Sequence, residues 1–489
     1  MRDALFHLRR ADNVSLQSQI RETLVTAILG GQIPSHEPIP STRQMARRLR
    51  VSRNTVVLAY QALVDDGFLE SRERSGFYVN DALLQGKVAA PAATKRDGVD
   101  DVDWEKRIGM RPSAQSNIEK PVHWQDCRYP FIYGQVDRSL FPIAEWRDCS
   151  RQALGTRSLS EWASDSFAAD DPMLVEQIRT RILPRRGILA DEDQILITLG
   201  AQNALYLAAN LLVTPQCRIA MEEPGYPDMR NVLQQRSDRI VPIPVDGDGL
   251  PVDRRLEDCD LVFVTPSHQM PTTATMPLER RNALLDHAAR HDFLIIEDDY
   301  EFETNYVSEP CPALKSLDRS DRVIYVGSLS KSLFPGLRLG FLVAAPELIH
   351  EARALRRLML RHPPNNNQRT AALFLALGHH DTLIHRLHKT YAARWEAMGE
   401  ALERHLPRSS SAPTFGGTSY WVRGPKGLDA ERLADSALAE GIVIEPGRIA
   451  YAAPDPPRNC FRLGFSSIPL DRIEPGIRLL AEIIEQQLA

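Results

Sequence analysis

A lysine in a serine- and glycine-rich turn, Lys331 of Gly327-Ser-Leu-Ser-Lys-Ser-Leu-Phe-Pro-Gly-Leu-Arg-Leu-Gly340, directly follows the β-branched run Val323-Ile-Tyr-Val326. A strand end is where a sheet presents a side chain to a ligand crevice, so this amine is placed to attack a carbonyl. Taken alone, a lysine in such a turn is ordinary solvated surface. A second run, Phe293-Leu-Ile-Ile296, ends in Glu297-Asp-Asp-Tyr300, which offers the carboxylate of Asp298 and the phenol of Tyr300 to the same crevice, with Glu297 and Asp299 as rivals of Asp298. Gly200-Ala201-Gln202 follows a third run and opens a helix, whose free N–H groups attract an anion. Ser328, Ser330 and Arg338 would complete that cradle, Arg338 with a fork that lysine cannot mimic. Tyr226, after Glu222-Glu-Pro-Gly225, is either a stacking platform for a flat ring or a half-buried turn tyrosine. His268 and Gln269, in Thr265-Pro-Ser-His-Gln-Met-Pro271, either bond a ring oxygen or are satisfied structural groups. An amine, an acid for a ring nitrogen, an aromatic face and a phosphate cradle are together what pyridoxal 5'-phosphate chemistry requires.

The elements that must position these groups are legible as short β-branched runs spaced by helical stretches: 194–198, 218–221, 261–264, 293–296 and 323–326. That alternation predicts an α/β fold with a mostly parallel sheet. A long helical stretch over 346–405 follows, and Thr418-Ser-Tyr-Trp-Val422 with Cys460-Phe-Arg-Leu-Gly464 predicts a smaller C-terminal α+β lobe.

The first 80 residues read differently. Leu16, Ile20, Leu24 and Ile28 form one apolar stripe ended by Gly30-Gly31. Ser41-Thr-Arg-Gln44 has capping-box form, and a third helix from Ser52 carries Val56, Val57, Tyr60 and Leu63. Phe68-Leu-Glu70 and Phe77-Tyr-Val79 then read as a hairpin turning through Ser75-Gly76. Helix, helix, helix, hairpin is the order of a winged helix-turn-helix. Residues 41–60 hold five Arg and no acid. Arg53, Asn54 and Thr55 open the third helix where base contacts fall, Arg43, Arg47, Arg48 and Arg50 suit backbone phosphates, and Arg72 and Arg74 flank the wing tip at Gly76.

Pro40-Ser-Thr-Arg-Gln-Met-Ala46, Val51-Ser-Arg-Asn-Thr-Val56, Ala59-Tyr60 and Ser75-Gly-Phe-Tyr-Val79 resemble the DNA-binding domain of GntR-type bacterial regulators. That resemblance implies DNA contacts at Arg43, Arg53, Thr55 and Gly76, and also at Asn54 and Tyr60. The later motifs resemble a fold-type I aminotransferase, and the combination resembles the MocR/GabR regulators. The implied organisation is a GntR-like head over 1–80, a linker over 81–125 and an aminotransferase-like domain over 126–489. The resemblance further implies Lys331 as the Schiff-base lysine, Asp298 on the pyridine nitrogen, Tyr300 on the phenolic oxygen and Tyr226 stacking. It places Arg338, Ser328 and Ser330 at phosphate and gives Arg462, in Phe461-Arg-Leu-Gly464, to an effector carboxylate. A departure is Thr273-Ala274, where aminotransferases commonly have Gly after Pro-Thr.

The expected function is regulation: a small amine or amino acid takes the cofactor from Lys331, and a homodimer reports this to double-stranded operator DNA. A working aminotransferase with an incidental head and a regulator answering to pyridoxal phosphate itself are the rivals. Bulk properties agree with a cytoplasmic protein. The 489 residues carry a net charge of -5, no apolar run of membrane-span length, and six cysteines in no Cys-x-x-Cys pair, so no membrane, metal or disulfide framework is expected.

Overall fold

The computed structural model describes residues 14–73, 75–83, 102–156, 159–307, 311–410 and 416–489, which form two compact units divided after Arg107. Residues 84–101 of the expected linker and the wing residue Arg74 lie outside the described residues.

In the first unit, helices α1 (Leu16–Leu29), α2 (Thr42–Leu49) and α3 (Arg53–Asp65) precede an antiparallel hairpin, β1 (Leu69–Arg72) and β2 (Gly76–Val79). Each helix starts where the sequence supplies an acceptor. Ser15 and Ser52 cap α1 and α3, and Ser41 and Gln44 exchange the two bonds of the capping box on α2. Ile20, Leu24 and Ile28 meet Met45, Val56, Leu63, Leu69 and Val79 in a small core.

The second unit is built on a seven-stranded sheet. Its strands in chain order are β3 (Ile195–Thr198), β4 (Ile219–Glu223), β5 (Ile240–Pro244), β6 (Leu261–Val264), β7 (Leu294–Asp299), β8 (Val323–Ser328) and β9 (Gly340–Val343), arranged in space as β3-β9-β8-β7-β6-β4-β5. Five were expected from the β-branched runs, whereas β5, interrupted by prolines, and β9, opened by glycine, carry a weaker signal. All run parallel except β9, which is antiparallel to both neighbours. Leu196, Phe263, Ile296, Val326 and Leu342 pack on one face, while Ile197, Tyr325 and Phe341 pack on the other, the alternation a sheet covered on both sides demands. The helical stretch after β9 is three helices, Pro346–Leu360, Asn365–Ala376 and His379–His405. A smaller sheet, β10 (Ser419–Arg423), β11 (Glu445–Pro446) and β12 (Cys460–Gly464), closes the chain in the order β10-β12-β11. Among the described residues no helix is long and apolar enough to cross a membrane.

Gly340 fixes how β9 meets the loop after β3. A Cβ there would lie 2.6 Å from the Gly200 carbonyl carbon and 2.8 Å from the Ala201 nitrogen, both backbone atoms that cannot swing away. Gly340→Ala is therefore expected to lower stability by about 1–3 kcal/mol in urea denaturation. Gly336→Ala, where nothing lies within 4 Å, should leave the midpoint unchanged.

Candidate functional site

Strand alternation decides which acid of the Glu297-Asp298-Asp299 run faces the crevice. Asp298 continues the side of Ile296, and the other two point to the opposite face. There Asp299 pairs with Arg186 at 2.7 Å and accepts from the Tyr325 hydroxyl at 2.9 Å, and Glu297 accepts from the backbone nitrogens of Leu314 and Lys315. Asp298 alone of the three lines the cavity, and its Oδ1 is buried with no hydrogen-bond partner. Burial, reinforced by the negative charge of Asp299, pushes its carboxyl up to about 8.

The cavity encloses about 460 Å³, a volume suited to a cofactor and a small ligand. Lys331, three residues beyond the end of β8, lies on its wall. Its Nζ stands 4.1 Å over the Tyr133 ring and 5.9 Å from the Tyr300 ring centroid, and burial lowers the amine to about 8. Tyr226 also lines the wall, donating to Gln202 Oε1 at 2.7 Å and lying 3.1 Å from Asp228 Oδ2. Helix Ala201–Leu212 begins at Gly200, whose φ of +80° needs glycine and whose missing side chain admits Arg338; a Cβ there would sit 3.0 Å from Nη2. Arg338 in turn bonds the Leu199 carbonyl at 3.0 Å, and Ser330 N donates to Ser328 Oγ at 3.2 Å. Ala201, Gln202, Ser328, Ser330 and Arg338 thus all line the cavity.

Three expected cofactor residues lie outside the cavity lining: Gly200, which backs Arg338, and Gln269 and His268. Gln269 is saturated: its amide donates to the Pro224 and Met270 carbonyls, and its oxygen accepts from Thr272, while Met270 takes the place on the cavity wall. His268 lies outside the lining; its carbonyl accepts from Tyr300 at 2.7 Å, and burial lowers the basicity of its ring. Thr273, where a glycine was noted as missing, holds φ +64°, the left-handed conformation that glycine favours. The sequence reading also missed Tyr133, Gly134, Asp228, Lys120 and Ile118, which line the cavity from outside any motif.

Arg462, on β12, reaches the cavity as expected but is engaged. Its Nε and Nη2 lie 2.9 and 2.6 Å from Glu445 Oε2, and its guanidinium stacks 3.9 Å over Tyr133. Part of the expected linker also belongs to this unit. Gln115 donates to the Asn231 carbonyl at 3.0 Å, and Lys120 donates to the Tyr133 carbonyl at 2.7 Å.

In the first unit Arg43, Arg47, Arg53 and Asn54 are exposed, Thr55 is half-buried beside its cap Ser52, and Gly76 is exposed with φ +112°. Tyr60 departs from its expected place at DNA. It is fully buried, donates to the Pro40 carbonyl at 2.9 Å and packs edge-on against Phe77, so it holds the helices to the wing.

A winged helix-turn-helix unit and a doubly covered sheet with a lysine-bearing crevice define a regulator with an aminotransferase-like domain. Residues 16–79 match the family described as bacterial regulatory proteins, gntR family, and residues 171–479 match aminotransferase class I and II. The chain is 45% identical over 479 residues to the transcriptional regulator TauR of Rhodobacter capsulatus, covering 98% of each chain. It is 32% identical to the probable rhizopine catabolism regulatory protein MocR of Rhizobium meliloti, over 97% of this chain and 94% of that one. Among solved structures, LysN of Thermus thermophilus, an α-aminoadipate aminotransferase complexed with N-(5'-phosphopyridoxyl)-L-leucine, superposes with a TM-score of 0.71 at 27% identity, covering 79% of this chain and 99% of LysN. The protein belongs to the MocR-type transcriptional regulators, in which a GntR-type head precedes an aminotransferase-like domain.

The buried Asp298 makes the cofactor-free protein pH-sensitive. The acid is ionised in the unfolded chain above about pH 4 but stays neutral in the folded one up to about 8, so stability falls as pH rises between these values. Asp298→Asn removes that loss. Its stability gain over wild type in urea denaturation is expected to be smallest at pH 5 and largest above pH 8.

Proposed function

We propose that this protein holds pyridoxal 5'-phosphate in the cavity and through it senses a small amine or amino acid, controlling genes of that compound's metabolism. The observation that carries the reading is the presence, in one cavity, of the buried amine of Lys331 and the unpartnered Oδ1 of Asp298. The cofactor's chemistry fits both groups. A protonated ring nitrogen is the donor that Asp298 Oδ1 lacks, and it would draw the carboxyl back to its ionised form. Bound there, pyridoxal phosphate supplies a carbonyl that condenses with primary amines.

Lys331 is the residue to hold that carbonyl. Its lowered basicity, to about 8, leaves a usable fraction of neutral, nucleophilic amine near neutral pH. Tyr226 is assigned to the ring face, Tyr300 to the ring oxygen, and Gly200, Ala201, Gln202, Ser328, Ser330 and Arg338 to the phosphate. His268 and Gln269 act from behind this wall, His268 through its carbonyl on Tyr300 and Gln269 through the loop it ties together. Arg462 is assigned to the effector's acid group. Arg43, Arg53, Asn54, Thr55 and Gly76 are assigned to double-stranded operator DNA, bound by a homodimer in the cytoplasm. Effector binding would shift the population of domain arrangements that the operator accepts.

γ-Aminobutyrate, taurine, diamino acids and ectoine breakdown products all join an amine to an anionic group, and similarity to TauR puts taurine first for testing. A second reading, an active aminotransferase, draws on the same Lys331 and Asp298; the GntR-type head favours regulation. A third makes pyridoxal phosphate itself the effector, in which case Arg462→Ala would leave regulation unchanged.

Borohydride reduction of the cofactor-loaded protein is expected to fix a phosphopyridoxyl group on Lys331 in peptide mass mapping, and Lys331→Ala should abolish the label. A label elsewhere, or none, overturns the cofactor assignment. On a duplex selected from a random-sequence library, Arg53→Ala should weaken binding about tenfold or more and reduce the salt slope by about one unit per lost phosphate contact. An unchanged affinity removes Arg53 from the interface.

A further inference from the structure

The acid-binding corner of the cavity has a charge problem that Arg462 does not solve. Its guanidinium and Glu445 form a buried pair, with side chains only 5% and 9% exposed, and that pair is neutral overall. Glu445 is fixed on a second side, accepting from the Tyr133 backbone nitrogen at 3.2 Å, so it is built in as a permanent counter-ion. An incoming anion that met Arg462 alone would therefore also meet the Glu445 carboxylate.

The missing positive charge comes from a segment that precedes every motif of the domain. Lys120 lines the cavity with its neighbour Ile118, and its Nζ donates to the Tyr133 carbonyl at 2.7 Å. Among the described residues Lys120 forms no ion pair with a carboxylate. Gly134 locates it relative to the reactive amine. A Cβ built on that glycine would lie 2.7 Å from Lys331 Nζ and 3.7 Å from Lys120 Nζ, so the two amines flank one bare stretch of backbone. Tyr133 carries Lys331 and Arg462 over its ring and Lys120 on its carbonyl, which gathers three cations around one residue; the carboxylates facing them are Glu445, paired with Arg462, and Glu301, which acts on Lys331. Burial and the nearby Arg462 lower the basicity of Lys120, while Glu445 opposes that shift. An unpaired, partly desolvated ammonium group in that position gains from an anion's arrival.

We propose that Lys120 is a specificity-determining residue that supplies the net charge for the effector's carboxylate or sulfonate, with the Arg462–Glu445 pair setting its orientation. This rests on the sensor reading above for the amine end of the ligand. Since Lys120 stands in the stretch that leads back along the chain to the DNA-binding head, the anionic end of the effector would bind directly to the head's own connection.

The test uses the full-length, cofactor-loaded protein and the variants Lys120→Met and Lys120→Arg. Cofactor absorbance is titrated with taurine and γ-aminobutyrate, and with ethylamine and butylamine, which keep the amine and lack the acid. Lys120→Met is expected to weaken the two acidic ligands at least tenfold and leave the plain amines within twofold, with Lys120→Arg restoring most of the loss. Equal losses for both classes, or no loss for either, overturn the proposal. Calorimetry with 2-hydroxyethanesulfonate, which has no amine, separates this proposal from the sensor reading. If no amine perturbs the cofactor but this anion still binds wild type and not Lys120→Met, the sensor reading fails and the role of Lys120 stands. If amines perturb the cofactor and Lys120→Met binds the anion like wild type, the reverse holds.

Discussion

The second unit is organised around a charge that the sheet cannot neutralise by itself. Three consecutive acids end β7, and the protein buries all of them. It answers two with fixed partners, Asp299 with Arg186 and Tyr325, Glu297 with backbone N–H groups near Arg281. The third, Asp298, is left facing open space with an oxygen unbonded. Burying an unpaired acid costs stability, and such a cost persists where a ligand completes the arrangement. On the far face Arg186 and Arg281 stand against Asp299 and Glu297, and the charge left on Asp299 still adds to burial in keeping the Asp298 carboxyl protonated.

Much of the site could be read from the sequence because its groups sit at strand ends, where local pattern and function coincide. Lys331, Asp298, Tyr300, Tyr226 and Arg338 all follow recognisable runs, and the structure brings all of them to one cavity, with Gly200 just behind Arg338. What stayed hidden were contributions made through long-range contacts. Tyr133, Gly134 and Lys120 belong to a stretch of weak periodicity, and Glu445 meets Tyr133 across 312 positions of chain. No local spacing encodes such a meeting.

The residues that stand away from their expected places do so for separate local reasons. Tyr60 was placed at DNA by its neighbourhood of motif residues, although its phase with Val56 and Leu63 put it on the buried face. Gln269 and His268 immediately precede Met270, which does reach the cavity, and no periodicity in this loop says which of the three side chains points inward. The prolines in β5 and the glycine opening β9 hid two strands, because the residues that allow those strands to fit are poor strand formers.

The meeting of Gly340 with Gly200, behind Arg338, has a peculiar mechanical character. Backbone rests on backbone there, with no rotatable side chain between to act as a cushion. Lys120 and Arg462, which line the cavity, are long side chains from segments remote in sequence. The glycine contact is thus an anvil, and any adaptation of the cavity to molecules of different length falls on its longer side chains instead.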